Sequence, residues 1–276
     1  MKLIPNEEKL NSLIQKMAMG GADKLHILSD FDKTLTAISY INGRPVGSLI
    51  GQLRAGGYLT PEYAPAAFEL MQKYAPFEHD QTISRSERMK KMQDWWNEHH
   101  ELLVRCRLNK YDMDKVMATA HMKLRDGVEA FFNLLYQFNV PIIIISGGPA
   151  YMIERMLSQA KLLTDNIQIV ANYYEFDENG YMTNAKKPII HSLNKYEIIL
   201  REFPFFGRLK DRTNVMLLGD QIDDLGMIEG FDYINLLTIA FAHQEKDQQT
   251  FAQKFDVVFG ENDNFNFVND IIKKII

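Results

Sequence analysis

The sequence predicts an α/β protein, and three observations carry that prediction. First, short apolar runs with the length of buried strands occur at positions such as 25–28 and 214–218. Second, helical patterns separate most of these runs, which is typical of a parallel sheet covered by helices on both faces. Third, residues 38–122 show helical patterns without a strong strand pattern. We therefore predict a Rossmann-like core at 1–37 and 123–276 with an inserted, mainly helical cap at 38–122.

The predicted elements of the N-terminal part begin with an amphipathic helix. Leu10 and Ile14 recur at helical spacing inside residues 5–20. After the strand that ends at Ser29, a stretch rich in glycine and proline continues to Pro65, and no strand or helix is assigned to it. Helices are predicted beyond this stretch at 65–75, 84–105 and 111–121.

The alternation of helices and strands resumes near Gly127. Residues 173–176 and 181–183 form a predicted hairpin, because Asn179-Gly180 between them suits the positive φ angles of a tight turn. The other predicted helices are 127–138, 149–160, one near 192–203, one from about 223, and 267–276. The other predicted strands are 140–145, 167–171, 214–218, 234–238 and 256–259.

Composition excludes several classes of protein. The chain has 276 residues, of which 46% are hydrophobic and 24% charged, as in ordinary globular domains. A net charge of −5 argues against nucleic acid polymers and anionic membranes as partners. Cys106 is the single cysteine, so no intrachain disulfide forms, which agrees with a reducing compartment. The charged N-terminal residues and the lack of long apolar runs predict a cytoplasmic protein, and the oligomeric state is left open.

Asp30 and Asp32 stand at the end of the first predicted strand. Residues two apart on a strand face the same side, so both carboxylates point into one space. Two such charges about 4 Å apart repel by on the order of 4 kcal/mol at an effective dielectric of 20, which a divalent cation or a shared proton relieves. One carboxylate can attack phosphorus while the other transfers protons, and Thr34 can orient the pair. The competing interpretation is a surface turn rich in aspartate.

Ser146 and Gly147 follow the predicted strand 140–145 and precede a predicted helix. Glycine lets the backbone approach an anion closely, and free N–H groups at a helix start favour a phosphate. Together with the Ser146 hydroxyl they predict a phosphate site. An ordinary strand-to-helix turn explains the same pattern.

Asp220 follows the strand 214–218 through Gly219 and predicts a second anchor for Mg²⁺, which prefers hard oxygen ligands. Asp223 and Asp224 come next, and either can instead be a helix N-cap.

Lys195 lies in the chain between the cluster at Ser146 and the cluster at Asp220. It is the predicted cation of the site, although a lone lysine is usually a solvated surface group.

These motifs, taken in order, resemble the four motifs of the haloacid dehalogenase-like phosphohydrolases. The resemblance rests on Asp30-Phe-Asp-Lys-Thr, Ser146, Lys195 and Gly219-Asp220-x-x-x-Asp224. Further scattered segments are similar to the cytosolic 5′-nucleotidase III group, the pyrimidine 5′-nucleotidases. These segments include Ile38–Tyr40, Tyr74–Asp80, His100–Val104, Val170–Asp177 and Ile190–Lys195, and the similarity extends from about Leu25 to the C-terminus.

The resemblance implies a role for each residue of the core. Asp30 would be the nucleophile that becomes aspartyl-phosphate, and Asp32 would be the general acid and base. Mg²⁺ would be held by Asp30, by the backbone carbonyl of Asp32 and by Asp220, with Asp224 as support. The phosphoryl oxygens would be held by Ser146, Gly147 and Lys195.

The resemblance also implies a substrate. Glu78 matches the acidic residue with which this group recognises the nucleobase, and a carboxylate there would accept from an exocyclic amine, as in cytidine. Of the neighbouring Trp95 and Trp96, one is expected to pack into the cap and the other can stack on a base. The expected function is thus Mg²⁺-dependent hydrolysis of nucleoside 5′-monophosphates, pyrimidines preferred.

Several departures from the group leave the substrate open, among them cap positions that include the basic residues Arg85, Arg88, Lys90 and Lys91. Asp223 stands where a glycine is usual, and Ser146-Gly147-Gly148 replaces the commoner Ser-Ala-Gly. The alternative within the enzyme class is a phosphoserine phosphatase-like enzyme or another small-metabolite phosphatase with the same core. A catalytically silent binding protein would require a damaged set of catalytic residues, and the set is complete.

Overall fold

The computed structural model describes residues 2–41, 44–80, 82–118, 122–195, 203–229 and 232–276. Its centre is a six-stranded sheet in which all neighbouring strands are parallel. The strands of this sheet are β1 (Leu25–Ser29), β4 (Ile142–Pro149), β5 (Ile167–Asn172), β8 (Asn214–Gly219), β9 (Asn235–Ala242) and β10 (Val257–Gly260). Two short antiparallel pairs are β2 (Ser39–Ile41) with β3 (Arg44–Val46), and β6 (Tyr174–Phe176) with β7 (Met182–Ala185).

Helices form the rest of the described regular structure. The α-helices are α1 (Glu7–Ala18), α2 (Gly21–Lys24), α3 (Leu49–Ala55), α4 (Tyr63–Glu78), α5 (Arg85–Arg105), α6 (Lys110–Ala118), α7 (Val128–Gln137), α8 (Ala150–Gln159), α9 (Gln248–Ala252) and α10 (Asn266–Ile275). Short 3₁₀ helices span Pro204–Arg208, Ile222–Ile228 and Glu245–Asp247.

The order of the strands creates the crevice in which the site lies. Across the sheet the order of the strands is β10-β9-β8-β1-β4-β5. If these six strands are renumbered 1 to 6 along the chain, the order read from the β5 edge is 3-2-1-4-5-6. The direction of winding reverses at β1, and ligands of such sheets bind at this reversal, beyond the carboxyl ends of the strands. Ser29 is in register with Ile144 on one side and Leu218 on the other, so the residues that follow these strands meet.

Burial explains why the central strands are mostly apolar. Every residue of β1 and β8 is buried, as expected for parallel strands with both faces covered. Leu25 and Ile27 pack into the larger apolar cluster on one face, and Leu28 packs into the cluster on the other face. The predicted fold class, a Rossmann-like parallel sheet with an inserted helical cap, is confirmed. The boundaries of the cap at 38 and 122 stay a prediction.

Several parts of the chain differ from the predicted elements; for example, β4 extends to Pro149, beyond the predicted strand 140–145. The glycine- and proline-rich stretch contains the β2–β3 pair and α3, because hydrogen bonding and burial of Leu49 and Leu53 outweigh its composition. The helix predicted from about 223 is the 3₁₀ helix Ile222–Ile228. Of the helix predicted near 192–203, residues 192–195 are not helical, and 196–202 are outside the described residues.

Candidate active site

Asp30 occupies the end of β1 at the reversal point. Its backbone N–H donates to the carbonyl of Leu218 over 2.9 Å, which extends the β1–β8 pairing by one residue. Its carboxylate accepts from two groups: Oδ1 from Nζ of Lys195 at 2.6 Å, and Oδ2 from Oγ1 of Thr34 at 3.1 Å. Only 4% of Asp30 is exposed. Hydrogen bonds therefore hold both carboxylate oxygens of the predicted nucleophile.

Asp224 shares the Lys195 ammonium with Asp30. Its Oδ1 lies 2.7 Å from Nζ of Lys195, and its Oδ2 accepts from the backbone N–H groups of Asp220 and Gln221, each at 2.9 Å. A single Cβ on Gly219 would lie 2.6 Å from the Cβ of Asp224, so this close turn requires glycine. Asp224 thus shapes the turn after β8 and also binds the cation of the site.

The pKa shifts of this group reflect burial opposed by charge. Burial raises the pKa of the Asp30 carboxyl well above its usual value, and the neighbouring Lys195 works against that rise. Burial also raises the pKa of Asp224. For Lys195, burial favours the neutral amine, but the carboxylates of Asp224 and Asp30 outweigh it and raise the pKa of the ammonium. Lys195 therefore stays charged between two acids.

Asp32 lies beside this group in an environment suited to proton transfer. Its Oδ1 accepts from the backbone N–H of Leu49, the first residue of α3, at 3.2 Å. Burial raises the pKa of Asp32 to about 7, while the bond from Leu49 works against the rise. A carboxyl group with a pKa near neutrality can both donate and accept a proton under ordinary conditions.

Ser146 and the two glycines after it form an irregular loop inside the last part of β4, where the pairing with β5 shifts register. Oγ of Ser146 accepts from the N–H of Gly148 at 3.0 Å, and Nδ2 of Asn172 donates to the carbonyl of Gly147 at 2.7 Å. A Cβ on Gly148 would lie 3.3 Å from Oγ of Ser146 and 3.5 Å from Oδ2 of Asp32. The loop therefore lies close to the acid pair, and a side chain at Gly148 would contact both Ser146 and Asp32.

Asp220 has two partners to which the sequence analysis assigned no role. Oδ2 of Asp220 lies 3.0 Å from Nζ of Lys33 and 2.8 Å from Nε2 of His243. Burial favours the neutral acid, but Lys33 and His243 outweigh it and hold the pKa of Asp220 well below its usual value. The Asp220 carboxylate in turn raises the pKa of Lys33.

Each of the two missed residues left only a weak signal in the sequence. Lys33 adjoins the predicted acid pair, and its φ of 64° turns the chain sharply there. His243 directly follows β9, the strand next to β8 in the parallel sheet. Position after a strand of a parallel sheet is the one pattern by which His243 can be found.

Three buried carboxylates could hold a metal ion. Asp30, Asp220 and Asp224 each offer an oxygen, and these oxygens lie within 4.8 Å of one another. A set of hard oxygen donors fits Mg²⁺. The side-chain cluster contains Asp224, for which the sequence predicted a supporting role, and it does not contain Asp32, whose predicted ligand is the backbone carbonyl.

A cavity of about 200 Å³ joins these residues to the helices of residues 49–105. Trp95 and Trp96 both line it; the ring of Trp95 stacks on Tyr74 at 6.3 Å, and that of Trp96 meets His99 edge-on at 5.8 Å. The predicted site residues that line the cavity are Asp30, Asp32, Glu78, Ser146, Gly147, Lys195 and Asp220. The structure therefore brings Glu78 to the same cavity as the acid pair, from a position far away in the chain.

The sheet, the cap and the acid pair after β1 define a haloacid dehalogenase-like phosphohydrolase. Residues 33–276 match the model of the family described as pyrimidine 5′-nucleotidase (UMPH-1). The chain belongs to this family. It is accordingly a 5′-nucleotidase, an enzyme that hydrolyses phosphate monoesters.

Individual relatives agree with this assignment over nearly the whole chain. The 7-methylguanosine phosphate-specific 5′-nucleotidase of Homo sapiens is 31% identical over 271 residues, covering 97% of this chain and 90% of the relative. The 7-methylguanosine phosphate-specific 5′-nucleotidase A of Xenopus laevis is 33% identical over 269 residues, covering 96% and 92%.

Solved structures show the same fold. Cytosolic 5′-nucleotidase IIIB bound to cytidine superposes with a TM-score of 0.85 at 24% identity, covering 99% of this chain and 93% of that one. A phospho-aspartyl intermediate analogue of phosphoserine phosphatase superposes with a TM-score of 0.55 at 18% identity, covering 92% and 99%. Among the described residues, no helix is both long and apolar enough to span a bilayer.

Proposed function

We propose that the protein is a Mg²⁺-dependent phosphatase of nucleoside 5′-monophosphates that works through an aspartyl-phosphate on Asp30. One observation carries the proposal. The Asp30 carboxylate is held by Lys195 and Thr34 in the same cavity as Asp32, a second acid with a pKa of about 7, and Glu78, a carboxylate that can contact a base.

The proposed reaction has two steps. A carboxylate oxygen of Asp30 attacks phosphorus and forms a P–O bond, while the bond from phosphorus to the ribose 5′ oxygen breaks and Asp32 gives that oxygen its proton. Water then attacks the phosphorus of the aspartyl-phosphate and gives a proton to Asp32, so phosphate leaves and both acids are regenerated. Lys195 and the Ser146 loop offset the charge on the phosphoryl oxygens.

The oxygen ligands proposed for Mg²⁺ come from Asp30, the backbone carbonyl of Asp32 and Asp220, with Asp224 in support. The bound cation would neutralise negative charge on the phosphoryl group and on the acids around it. Lys33 and His243 hold the Asp220 carboxylate in place in the described structure.

The preferred base is proposed to be a pyrimidine. Glu78 lines the cavity together with the two tryptophans, so its carboxylate can accept from the exocyclic amine of cytosine while an indole stacks on the ring. The family description, pyrimidine 5′-nucleotidase, supports this preference.

A second candidate substrate is 7-methylguanosine monophosphate. The relatives from Homo sapiens and Xenopus laevis are named for this substrate. Its methylated ring is positively charged, and an indole face such as that of Trp95 or Trp96 attracts a cation.

The remaining predictions are also part of the proposal. Residues 38–122 act as the cap over a core of 1–37 and 123–276. The partner is a small phosphate monoester, without a role for nucleic acid polymers or membranes. The cytoplasm is the proposed location, which is supported by a relative from Caenorhabditis elegans named putative cytosolic 5′-nucleotidase 3, 28% identical over 279 residues.

The test is phosphate release from CMP, UMP, AMP, GMP, 7-methylguanosine monophosphate and phosphoserine, each with and without Mg²⁺. We expect CMP or UMP to be the best substrate, with activity lost on removal of Mg²⁺. Asp30→Asn should reduce the rate by at least about 10³-fold, because no carboxylate remains to attack.

Asp270→Asn is the matched control, because its side chain is 64% exposed on α10 and it should keep wild-type rates. Activity confined to phosphoserine would retain the mechanism and reject the nucleotide substrate. An Asp30→Asn variant with substantial turnover would reject the covalent step.

A further inference from the structure

Arg54 brings an unpaired positive charge into the active cavity. Its side chain lines the cavity and is only partly exposed, and its Nε is buried without an acceptor. Within the described parts of the chain its guanidinium makes no hydrogen bond or ion pair, and its Cζ lies 5.8 Å from the centre of the Phe68 ring. A desolvated cation without a protein partner is costly, which suggests that a ligand is its partner.

The position of Arg54 places that partner at the nucleoside end of the cavity. Helix α3 begins at Leu49, whose N–H donates to Asp32 in the catalytic centre. Arg54 lies five residues further along, which is about 7.5 Å at the rise of an α-helix. The Arg54 backbone is therefore displaced along α3 from the residue that contacts Asp32, and its guanidinium faces the ring of Phe68 on α4, the helix that also carries Glu78.

Glu78 and Arg54 offer opposite hydrogen-bonding chemistry. A carboxylate only accepts and a guanidinium only donates. The two side chains line one cavity, yet no ion pair within 4.0 Å joins them among the described residues. A neutral base with both an amine and ring acceptors fits between them. Cytosine is such a base, because one edge of its ring carries an amine at position 4 and acceptors at N3 and O2.

We propose that Arg54 is a specificity-determining residue that donates to acceptor atoms of a neutral base and disfavours the cationic base 7-methylguanine. This inference rests on the proposed nucleotidase function and deepens it. Glu78 alone would favour an amine on either base, and an indole would favour the positive ring. Arg54 adds to the same cavity a positive charge, which repels the positive ring of 7-methylguanine. The preference between the two bases is thereby reversed in favour of cytosine.

The experiment compares kcat/KM for CMP and for 7-methylguanosine monophosphate in the wild type, Arg54→Gln and Arg54→Lys. The wild type should prefer CMP. In Arg54→Gln the ratio of kcat/KM for CMP to kcat/KM for 7-methylguanosine monophosphate should fall by about tenfold or more, mainly through changes in KM. Arg54→Lys keeps the charge and should still disfavour the methylated base, while its KM for CMP rises because the planar fork is lost.

Arg105→Gln is the matched control, since Arg105 is exposed on α5 and does not line this cavity. Its ratio should equal that of the wild type. Wild-type preference for the methylated substrate, a shift of less than threefold in Arg54→Gln, or identical ratios in Arg54→Gln and Arg54→Lys would overturn the inference. If Arg54→Gln does not fold, an unchanged KM for CMP in Arg54→Lys would overturn it.

Binding separates failure of this inference from failure of the proposed function. Calorimetric titration of the full chain with cytidine and with 7-methylguanosine needs no turnover. If the wild type hydrolyses neither nucleotide but binds cytidine more tightly than 7-methylguanosine, and Arg54→Gln loses that difference while Arg54→Lys keeps it, the proposed activity is wrong and the role of Arg54 stands. If neither nucleoside binds, the role of Arg54 is wrong.

Discussion

At the residue scale, one ammonium group holds two buried acids together. Nζ of Lys195 lies within 2.7 Å of both Asp30 and Asp224, and all three residues are less than 8% exposed. Loss of one member of such a buried set leaves an uncompensated charge, which is strongly destabilising. The arrangement therefore stabilises the site and orients the proposed nucleophile with the same contacts.

The raised pKa of Asp32 predicts a pH-dependent stability. Its pKa is about 7 in the folded protein and 3.8 ordinarily. As the pH rises above about 4, the unfolded chain loses this proton while the folded protein retains it, so stability falls until the pH passes about 7. Relative to Asp32→Asn, the metal-free wild type should lose on the order of 2 kcal/mol between pH 5 and pH 8.

Urea unfolding of both proteins at pH 5 and pH 8, in the presence of a chelator, measures this difference. Asn keeps an oxygen that accepts from Leu49 and does not titrate, so the comparison isolates the Asp32 proton. A gap between the two proteins that is the same at both pH values would contradict the shift.

Sequence reasoning at this scale found the residues next to strand ends and also Lys195 and Thr34, but it missed the two partners of Asp220. Asp30, Ser146 and Asp220 each follow an apolar run, and parallel topology alone brings such positions together. The contacts of Lys33 and His243 with Asp220 depend on side-chain directions between distant segments. No spacing in the chain encodes those directions. The catalytic roles themselves stay predictions.

At the element scale, α5 carries several of the cavity residues and depends on its first turn. Oγ of Ser84 accepts from the N–H of Glu87 at 3.2 Å, and Oε2 of Glu87 accepts from the N–H of Ser84 at 3.0 Å. This reciprocal pair satisfies two N–H groups that the helix cannot satisfy itself. Trp95, Trp96 and His99 follow on the same helix.

Loss of this cap should weaken the protein measurably. We expect Ser84→Ala to lower the free energy of unfolding by about 1 kcal/mol, because the first turn of α5 loses an acceptor. Thermal and urea unfolding provide the measurement. Ser158→Ala on α8 is the control, since Ser158 is exposed and its change should stay within about 0.5 kcal/mol. Equal effects of the two substitutions would show that the capping pair contributes nothing.

The predicted elements agree best with the observed ones where the pattern of apolar residues matches the pattern of burial. Strand β8 and helix α10 were predicted within about two residues of their bounds, because apolar runs and apolar stripes record burial directly. Helix α3 was not predicted, because its seven residues lie between glycines, and tertiary packing of Leu49 and Leu53 determines its structure. Such packing cannot be predicted from the local composition of the segment.

At the scale of the whole molecule, the cavity is shared between the sheet and the inserted helices. Asp30 and Ser146 come from the ends of β1 and β4, whereas Glu78 and Trp96 come from α4 and α5. A ligand that contacts both parts binds only the folded arrangement and stabilises it by mass action.

Bound substrate should therefore raise the stability of an inactive variant. For Asp30→Asn with Mg²⁺ and CMP at about 100 times its Kd, we expect an increase of about 2.7 kcal/mol in the free energy of unfolding. Urea unfolding monitored by tryptophan fluorescence measures it. The control is phosphoserine, which lacks a base and should stabilise less at equal concentration. Equal stabilisation by the two ligands would mean that the inserted helices do not contact the substrate.

The central position of β1 has a consequence for the protein during its synthesis. Both edges of β1 need partners that the ribosome makes much later, since β4 begins at residue 142 and β8 at residue 214. Until then, a mostly apolar strand has two open edges, which are templates for pairing with other chains. The nascent chain therefore carries an aggregation-prone strand unprotected while the whole inserted region emerges, so we expect chaperone supply to limit its yield more than the stability of the finished enzyme does.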